Sequence, residues 1–373
     1  MSEKKIFIIA GEASGDLHAA NLMKEWKILL PETLFSGWGG DRMEKEGTTI
    51  HKHIRDLSFM GFLEVLLNLK TILRNIKTCK NQIQSFKPDA LVLIDYPGFN
   101  LRIAKWAKQN KIPVIYYISP QIWAWKQSRI KQIKRDISKM YCILPFEKEF
   151  YSTFDCQVSY LGHPLLDEIV HFKSSTSSLS FSADKPILAL LPGSRVQEVK
   201  RKLPLMIEAS KAFPDYQVVI ACSSHLDQSF YRIWADESVL LVVGKTYEIL
   251  NEASMALVTS GTATLETALF QVPQVVCYKS SAISYRIAKL LIKIKYISLV
   301  NLIMNKEVVT ELIQGDCTVE NMRNELLLLE ANQPKRTTMI KNYEVLSSML
   351  GENGASKRIA TDIIETFFQN KGN

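Results

Sequence analysis

Short apolar, β-rich runs alternate with helical patterns along most of this chain, and that alternation restricts the fold more than any other feature. The runs are Lys5–Ala10, Leu34–Trp38, Ala90–Asp95, Val114–Ser119, Met140–Leu144 and Val158–Leu161, then Ile187–Leu191, Gln217–Ala221, Leu240–Val243, Met255–Thr259 and Gln274–Tyr278. Most are apolar at every position, as strands buried on both faces must be, and strict alternation is rare. Repeated βα units of this kind predict open, doubly wound parallel sheets. Ser174–Ser182 interrupts the series with seven Ser or Thr in nine residues and leads into Ala183-Asp184-Lys185-Pro186, a linker composition. The expected division is therefore residues 1–173 and 186–350, each an α/β domain, followed by a C-terminal segment 351–373. In that segment Ile359, Ile363, Ile364, Phe367 and Phe368 recur at helical spacing and predict one buried face.

Composition removes several classes of function. Six cysteines are scattered without a C-x-x-C pair, which argues against a zinc ribbon or a disulfide scaffold. The uncharged stretch Ile112–Trp125 contains two prolines and falls short of the ~18 residues of a spanning helix. The cysteine spacing fits reduced thiols in a cytoplasmic protein, and the residues after Met1 do not predict a secretory signal. Charge is unevenly placed. Between Lys70 and Lys139 stand fifteen Lys and Arg against three Asp, a surplus of +12 in a chain whose net charge is +8. Such a region suits an anionic partner such as nucleic acid, anionic lipid or a phosphorylated substrate, or simply a set of solvated helix faces.

Turns that follow strands carry the candidate chemistry. Gly11-Glu12-Ala13-Ser14-Gly15-Asp16 joins a strand to a helix, where free backbone N–H groups favour an anionic or polyhydroxyl ligand. It matches neither G-x-G-x-x-G nor the P-loop pattern. Ser194 and Arg195, in Leu191-Pro-Gly-Ser-Arg195, occupy a comparable turn suited to a two-pronged phosphate contact. Ser260-Gly261-Thr262-Ala263-Thr264-Leu265-Glu266 follows another strand, and Glu266 is placed to accept ribose hydroxyls or to cap its helix. Asp95, in Asp95-Tyr-Pro-Gly-Phe-Asn100, ends a strand where open sheets bind ligands, and is a candidate general base. His163 ends a further strand. His51 and His53 have no third ligand, and no D-x-D pair exists to hold a nucleotide-bound divalent ion. Residues 59–80, with Met60, Phe62, Leu63, Leu66, Leu67, Lys70 and Arg74, mix apolar and basic side chains as an interfacial segment does. Residues 121–135 set two tryptophans beside five cations, and either stretch is also compatible with core packing or with stacking on single-stranded nucleic acid.

Taken together, Gly11–Asp16, Asp95–Asn100, Ser119–Trp125 with Arg129, Leu144–Glu147, Gly162–Pro164, Leu191–Arg195, Ser260–Glu266 and Ser298–Asn301 closely resemble the lipid-A-disaccharide synthase family, in order and over nearly the whole chain. The resemblance implies a GT-B fold: two Rossmann-like domains facing a cleft, with the last helix crossing back to the first. It implies an inverting, metal-independent transfer of 2,3-diacylglucosamine from UDP-2,3-diacylglucosamine to the 6-hydroxyl of 2,3-diacylglucosamine 1-phosphate. The implied products are the β-1,6-linked lipid A disaccharide and UDP, at the cytoplasmic face of an inner membrane. Asp95 would be the base, and Ser194, Arg195, Ser260, Gly261, Thr262, Ala263, Glu266 and Asn301 the donor contacts. Glu12, Ser14, Gly15, Asp16, Gln121, Trp123, Arg129 and His163 would line the acceptor side. Anionic lipid is the implied partner, with no cofactor and no nucleic acid. A nucleotide-sugar epimerase of the same architecture would use the same UDP turns without needing the 59–80 surface. A nucleic-acid-binding protein would explain the basic segment but leave both turns and Asp95 idle.

Overall fold

The computed structural model describes residues 3–57, 69–175, 184–281, 285–286, 289 and 294–369. The chain forms two compact units, one running to Asp167 and resuming at Gly351, the other from Glu168 to Leu350. The division falls inside the helix Leu165–Ser174, and the Ser/Thr-rich stretch lies mostly outside the described residues.

The first unit holds seven strands: β1 (Lys5–Ala10), β2 (Leu34–Gly39), β3 (Thr49–His53), β4 (Ala90–Ile94), β5 (Val114–Tyr117), β6 (Lys139–Cys142) and β7 (Ser159–Tyr160). They pair in the order β3-β2-β1-β4-β5-β6-β7, every pair parallel. Strand side chains alternate between two cores, which explains why the sequence runs are apolar throughout. Phe7, Ile9, Leu91 and Leu93 pack with Ile76, Cys79 and Ile83 of the helix Leu69–Phe86 and Ile103, Ala104 and Ala107 of the helix Pro97–Gln109. Ile6, Ile8, Val92 and Ile94 face the helix Ala13–Leu29 and the C-terminal helix Ala355–Phe367, through Leu22, Met23 and Trp26 and through Ile359, Ala360, Ile363 and Ile364. Each such isoleucine withdrawn from water contributes about 1.5–3 kcal/mol, so the last helix is an integral layer of the first unit. Polar contacts fix its ends. The Asp167 carboxylate accepts from the backbone N–H groups of Gly354, Ala355 and Ser356, an N-terminal cap supplied from elsewhere in the chain. Asp362 accepts from Tyr141 Oη and pairs with Lys139 at 2.9 Å.

The second unit repeats the plan with β8 (Ile187–Leu191), β9 (Gln217–Cys222), β10 (Leu240–Val243), β11 (Ala253–Thr259), β12 (Gln274–Tyr278) and β13 (Thr310–Ile313). Their order is β10-β9-β8-β11-β12-β13, again all parallel. Eleven of the thirteen strands answer to the apolar runs. The other two, β3 and β13, are edge strands that carry Thr49, His51, Lys52 and His53 or Thr310 and Glu311, so no continuous apolar run marks them.

Candidate active site

In each sheet the strand order reverses once, between β1 and β4 in the first unit and between β8 and β11 in the second. Helices leave such a point in opposite directions, and the crevice beyond the strands' carboxyl ends is where open α/β sheets take their ligands. The four turns singled out by sequence follow these four strands. Ala10 is in register with Ile94, so Gly11–Asp16 and Asp95 emerge side by side. Leu191 is in register with Val258, which does the same for Gly193–Arg195 and Ser260–Glu266.

The β4 turn is strained and held from several sides. Asp95 and Tyr96 both adopt left-handed backbone, with φ of 44° and 48°, and Ile118 beyond β5 does so at 66°. For a β-branched residue that conformation is an outlier, and each such residue costs on the order of 1–3 kcal/mol, a pattern that clusters at functional sites. Fully buried Asn100 donates from Nδ2 to the carbonyls of Ile94 and Asp95 at 3.2 and 2.9 Å. Tyr116 Oη donates to the Asp95 carbonyl at 2.5 Å. The Tyr96 ring then lies over the first turn, where a Cβ on Gly11 would stand 2.4 Å from its Cγ, so only glycine fits there. Burial first and the nearby Glu12 carboxylate second raise the Asp95 pKa from 3.8 to about 6, against a hydrogen bond from the Tyr96 backbone that lowers it. The result is a carboxylate that is ionised at neutral pH yet more basic than an ordinary aspartate.

Glu147, in the first turn of the helix Pro145–Ser152, organises the neighbouring loop. It is 1% exposed and accepts from Ser119 Oγ at 2.8 Å, Trp123 Nε1 at 3.0 Å and the backbone N–H groups of Ile143 and Leu144. Burial raises its pKa to about 7 against those four hydrogen bonds. The sequence signal was present, since Pro at the first helical position with Glu two residues later is an N-terminal pattern. Exposed Trp125 carries cations close to its ring, Lys126 at 4.4 Å and Arg129 at 5.4 Å from the centroid. Gln121 and Ser14 are exposed, whereas Gly15 is buried with its backbone close to Ala10.

In the second unit exposed Arg195 immediately precedes the helix Val196–Ser210 and donates to Glu198 at 3.3 Å, with Ser194 exposed beside it. Gly193 has φ of +109°, and a Cβ there would lie 2.4 Å from Glu198 Oε2. Across the switch point, Gly261 precedes the helix Thr262–Leu269 with Thr262 exposed and Ala263 half-buried. Ser260 Oγ donates to the Ile297 carbonyl at 3.0 Å. Glu266 accepts from Tyr247 Oη at 3.2 Å, and its pKa is raised to about 6 by burial, lowered by that hydrogen bond and raised by Glu168.

Three expected contact residues are turned into the fold. Asp16 is 3% exposed and accepts from the backbone N–H groups of Gly40, Arg42 and Met43 at 2.7, 3.1 and 3.2 Å, which anchors the short helix Asp41–Lys45. Asn301 is fully buried, donating to Val309 and Glu311 and accepting from the backbone of Val308 and Val309, so no hydrogen-bonding capacity remains for a ligand. His163 is 2% exposed, Nδ1 accepts from the Leu165 N–H while buried Nε2 has no partner among the described residues, and burial with His18 lowers its pKa to about 3, so it stays neutral. Asp16 and Asn301 lie in the first turns of their helices and His163 just beyond β7; what the sequence could not show is which way each side chain turns. Met60, Phe62, Leu63, Leu66 and Leu67 lie outside the described residues, while Lys70 and Arg74 are exposed on the helix Leu69–Phe86. Among the described residues no helix is long and apolar enough to cross a membrane, and no group of three His, Cys, Asp or Glu side chains is placed to hold a metal ion.

Two parallel Rossmann-type units, each with ligand-type turns at its switch point, define the GT-B class. Solved structures agree on the fold. The UDP-GlcNAc 2-epimerase from Neisseria meningitidis bound to UDP-GlcNAc superposes with a TM-score of 0.66 at 13% identity, covering 98% of this chain and 100% of that one. A calicheamicin glycosyltransferase gives 0.65 at 15% identity, with both chains covered completely. Sequence narrows the class further. The lipid-A-disaccharide synthetase family profile matches residues 6–363. The lipid-A-disaccharide synthase of Myxococcus xanthus is 38% identical over 371 residues, 97% of each chain, and that of Syntrophus aciditrophicus is 39% identical over 96% of this chain and 97% of its own. The Coxiella burnetii enzyme of that name is 36% identical over 99% of this chain and 100% of its own. The chain belongs to the lipid-A-disaccharide synthase family, and it is a glycosyltransferase of lipid A biosynthesis.

Proposed function

We propose that the chain joins 2,3-diacylglucosamine, delivered as UDP-2,3-diacylglucosamine, to the 6-hydroxyl of 2,3-diacylglucosamine 1-phosphate. Asp95 takes the hydroxyl proton while the oxygen attacks the donor's anomeric carbon from the face opposite UDP. The bond from that carbon to the diphosphate breaks, its electron pair leaves with UDP, and the configuration inverts to β. UDP is a good leaving group, so charge stabilisation suffices without a proton donor. Arg195 with Ser194, and the turn Ser260-Gly261-Thr262-Ala263, supply it, while Glu266 takes the ribose. Glu12, Ser14, Gly15, Gln121, Trp123 and Arg129 serve the acceptor.

The acyl chains call for a lipid surface. Exposed Trp125 with Lys126 and Arg129, and the exposed Lys70 and Arg74, support peripheral contact with an anionic inner membrane from the cytoplasmic side.

The observation that carries the reading is the placement of Asp95 at one switch point and of two phosphate-type turns at the other. Incubation with both diacylated substrates tests it: release of UDP together with a disaccharide monophosphate is expected. Turnover of a plain UDP-sugar with no acceptor would overturn it in favour of an epimerase.

A further inference from the structure

Lys202 is 2% exposed, an unusual place for an ammonium. It sits in the second turn of the helix Val196–Ser210, and helical side chains lean towards the N-terminus. Its Nζ donates to Oγ1 of Thr259, the last residue of β11, so the contact spans the β8/β11 switch point directly behind the Gly193–Arg195 turn. Among the described residues no carboxylate lies within ion-pair distance of it. Burial lowers its pKa, Glu198 and the thiols Cys277 and Cys317 act in the opposite sense, and Arg195 lowers it again. Glu198, which acts on Lys202 only at a distance, accepts from Arg195 at 3.3 Å and has its Oε2 against Gly193. Among the described residues the Lys202 ammonium therefore has no carboxylate beside it, in a poorly solvated place. An uncharged side chain of the same length would be neutral or stabilising for the fold, so the lysine needs a different explanation.

We infer that Lys202 is a cation of the donor site, oriented by Thr259 to receive the diphosphate of a nucleotide sugar. A diphosphate brings the negative charge this arrangement lacks, and a buried ammonium is screened less by solvent than the exposed Arg195. The inference rests on the reading that the second unit binds UDP.

Titration calorimetry of the full chain with UDP and with uridine tests it, since only UDP carries the diphosphate. In Lys202→Met the UDP Kd should rise about tenfold or more, uridine binding should stay unchanged, and the melting temperature of the free protein should not fall. Lys202→Gln, which keeps a donor for Thr259, should lose UDP affinity in the same selective way and serves if the methionine variant fails to fold. Unchanged UDP affinity in both variants, or parallel loss of UDP and uridine, would overturn the inference. Wild-type protein that bound no UDP would overturn the donor reading itself, before any variant is made.

Discussion

Asp95→Asn is expected to remove most turnover while making the ligand-free protein more stable. Asparagine keeps the size of the side chain and is among the residues best suited to left-handed backbone, so the strained turn at φ of 44° is preserved. Its supports act on the Asp95 carbonyl, through Asn100 and Tyr116, and survive the change. The stability effect follows from the raised pKa. Because the folded value of about 6 lies above 3.8, the unfolded chain loses this proton first as pH rises. Folding therefore becomes less favourable between pH 4 and 6 and stays so above, by about 3 kcal/mol for a gap of this size. Removing the charge should restore up to that amount at pH 8 and nothing below pH 4. Turnover should fall by about 10²–10⁴-fold, the usual worth of a general base. Disaccharide formation measured by radiolabelled product, beside urea unfolding at pH 4 and pH 8, reads both. Near-normal turnover would remove Asp95 from the role of base, and a variant less stable than wild type at pH 8 would refute the electrostatic reasoning.

Arg195→Ala should slow transfer by about 10²–10³-fold if its guanidinium meets the departing diphosphate. Glu266→Ala should chiefly weaken UDP binding, and calorimetry together with steady-state kinetics separates the two effects. Glu147→Ala leaves four donors without their acceptor, two of them in buried hydrogen bonds, so it should destabilise by about 2–4 kcal/mol in urea melts at pH 8. Sedimentation with anionic vesicles should exceed that with neutral ones and decline with salt; equal binding to both would refute the electrostatic part. Turnover should persist in excess EDTA, as the absence of a D-x-D pair and the presence of Arg195 suggest.

The sequence alone determined a great deal here, because most strand positions of these parallel sheets are withdrawn from water and are filled by apolar residues. β1, β8, β10 and β12 begin and end where the apolar runs do, and the residues interrupting them mark the turns. Asp95, Arg195 and the Ser260–Glu266 turn were legible for the same reason: they break an apolar run at its carboxyl end. No sequence repeat announces that the two units share one strand order, since backbone pairing sets that order and side-chain identity does not.

Tertiary structure decided what each polar side chain does once it is placed. Asp16 and Asn301 stand in matching motifs yet spend their polar atoms within the fold, because a buried group must satisfy its hydrogen bonds there, and His163 turns inwards with Nδ1 on the Leu165 N–H. Lys202 shows the converse. It belongs to an ordinary helical stretch in the sequence, and only the packing of that helix on β8 and β11 carries its ammonium to Thr259. Solvation, which separates a surface lysine from a buried one, depends on contacts between residues far apart in the chain, and so it is not encoded by any local pattern.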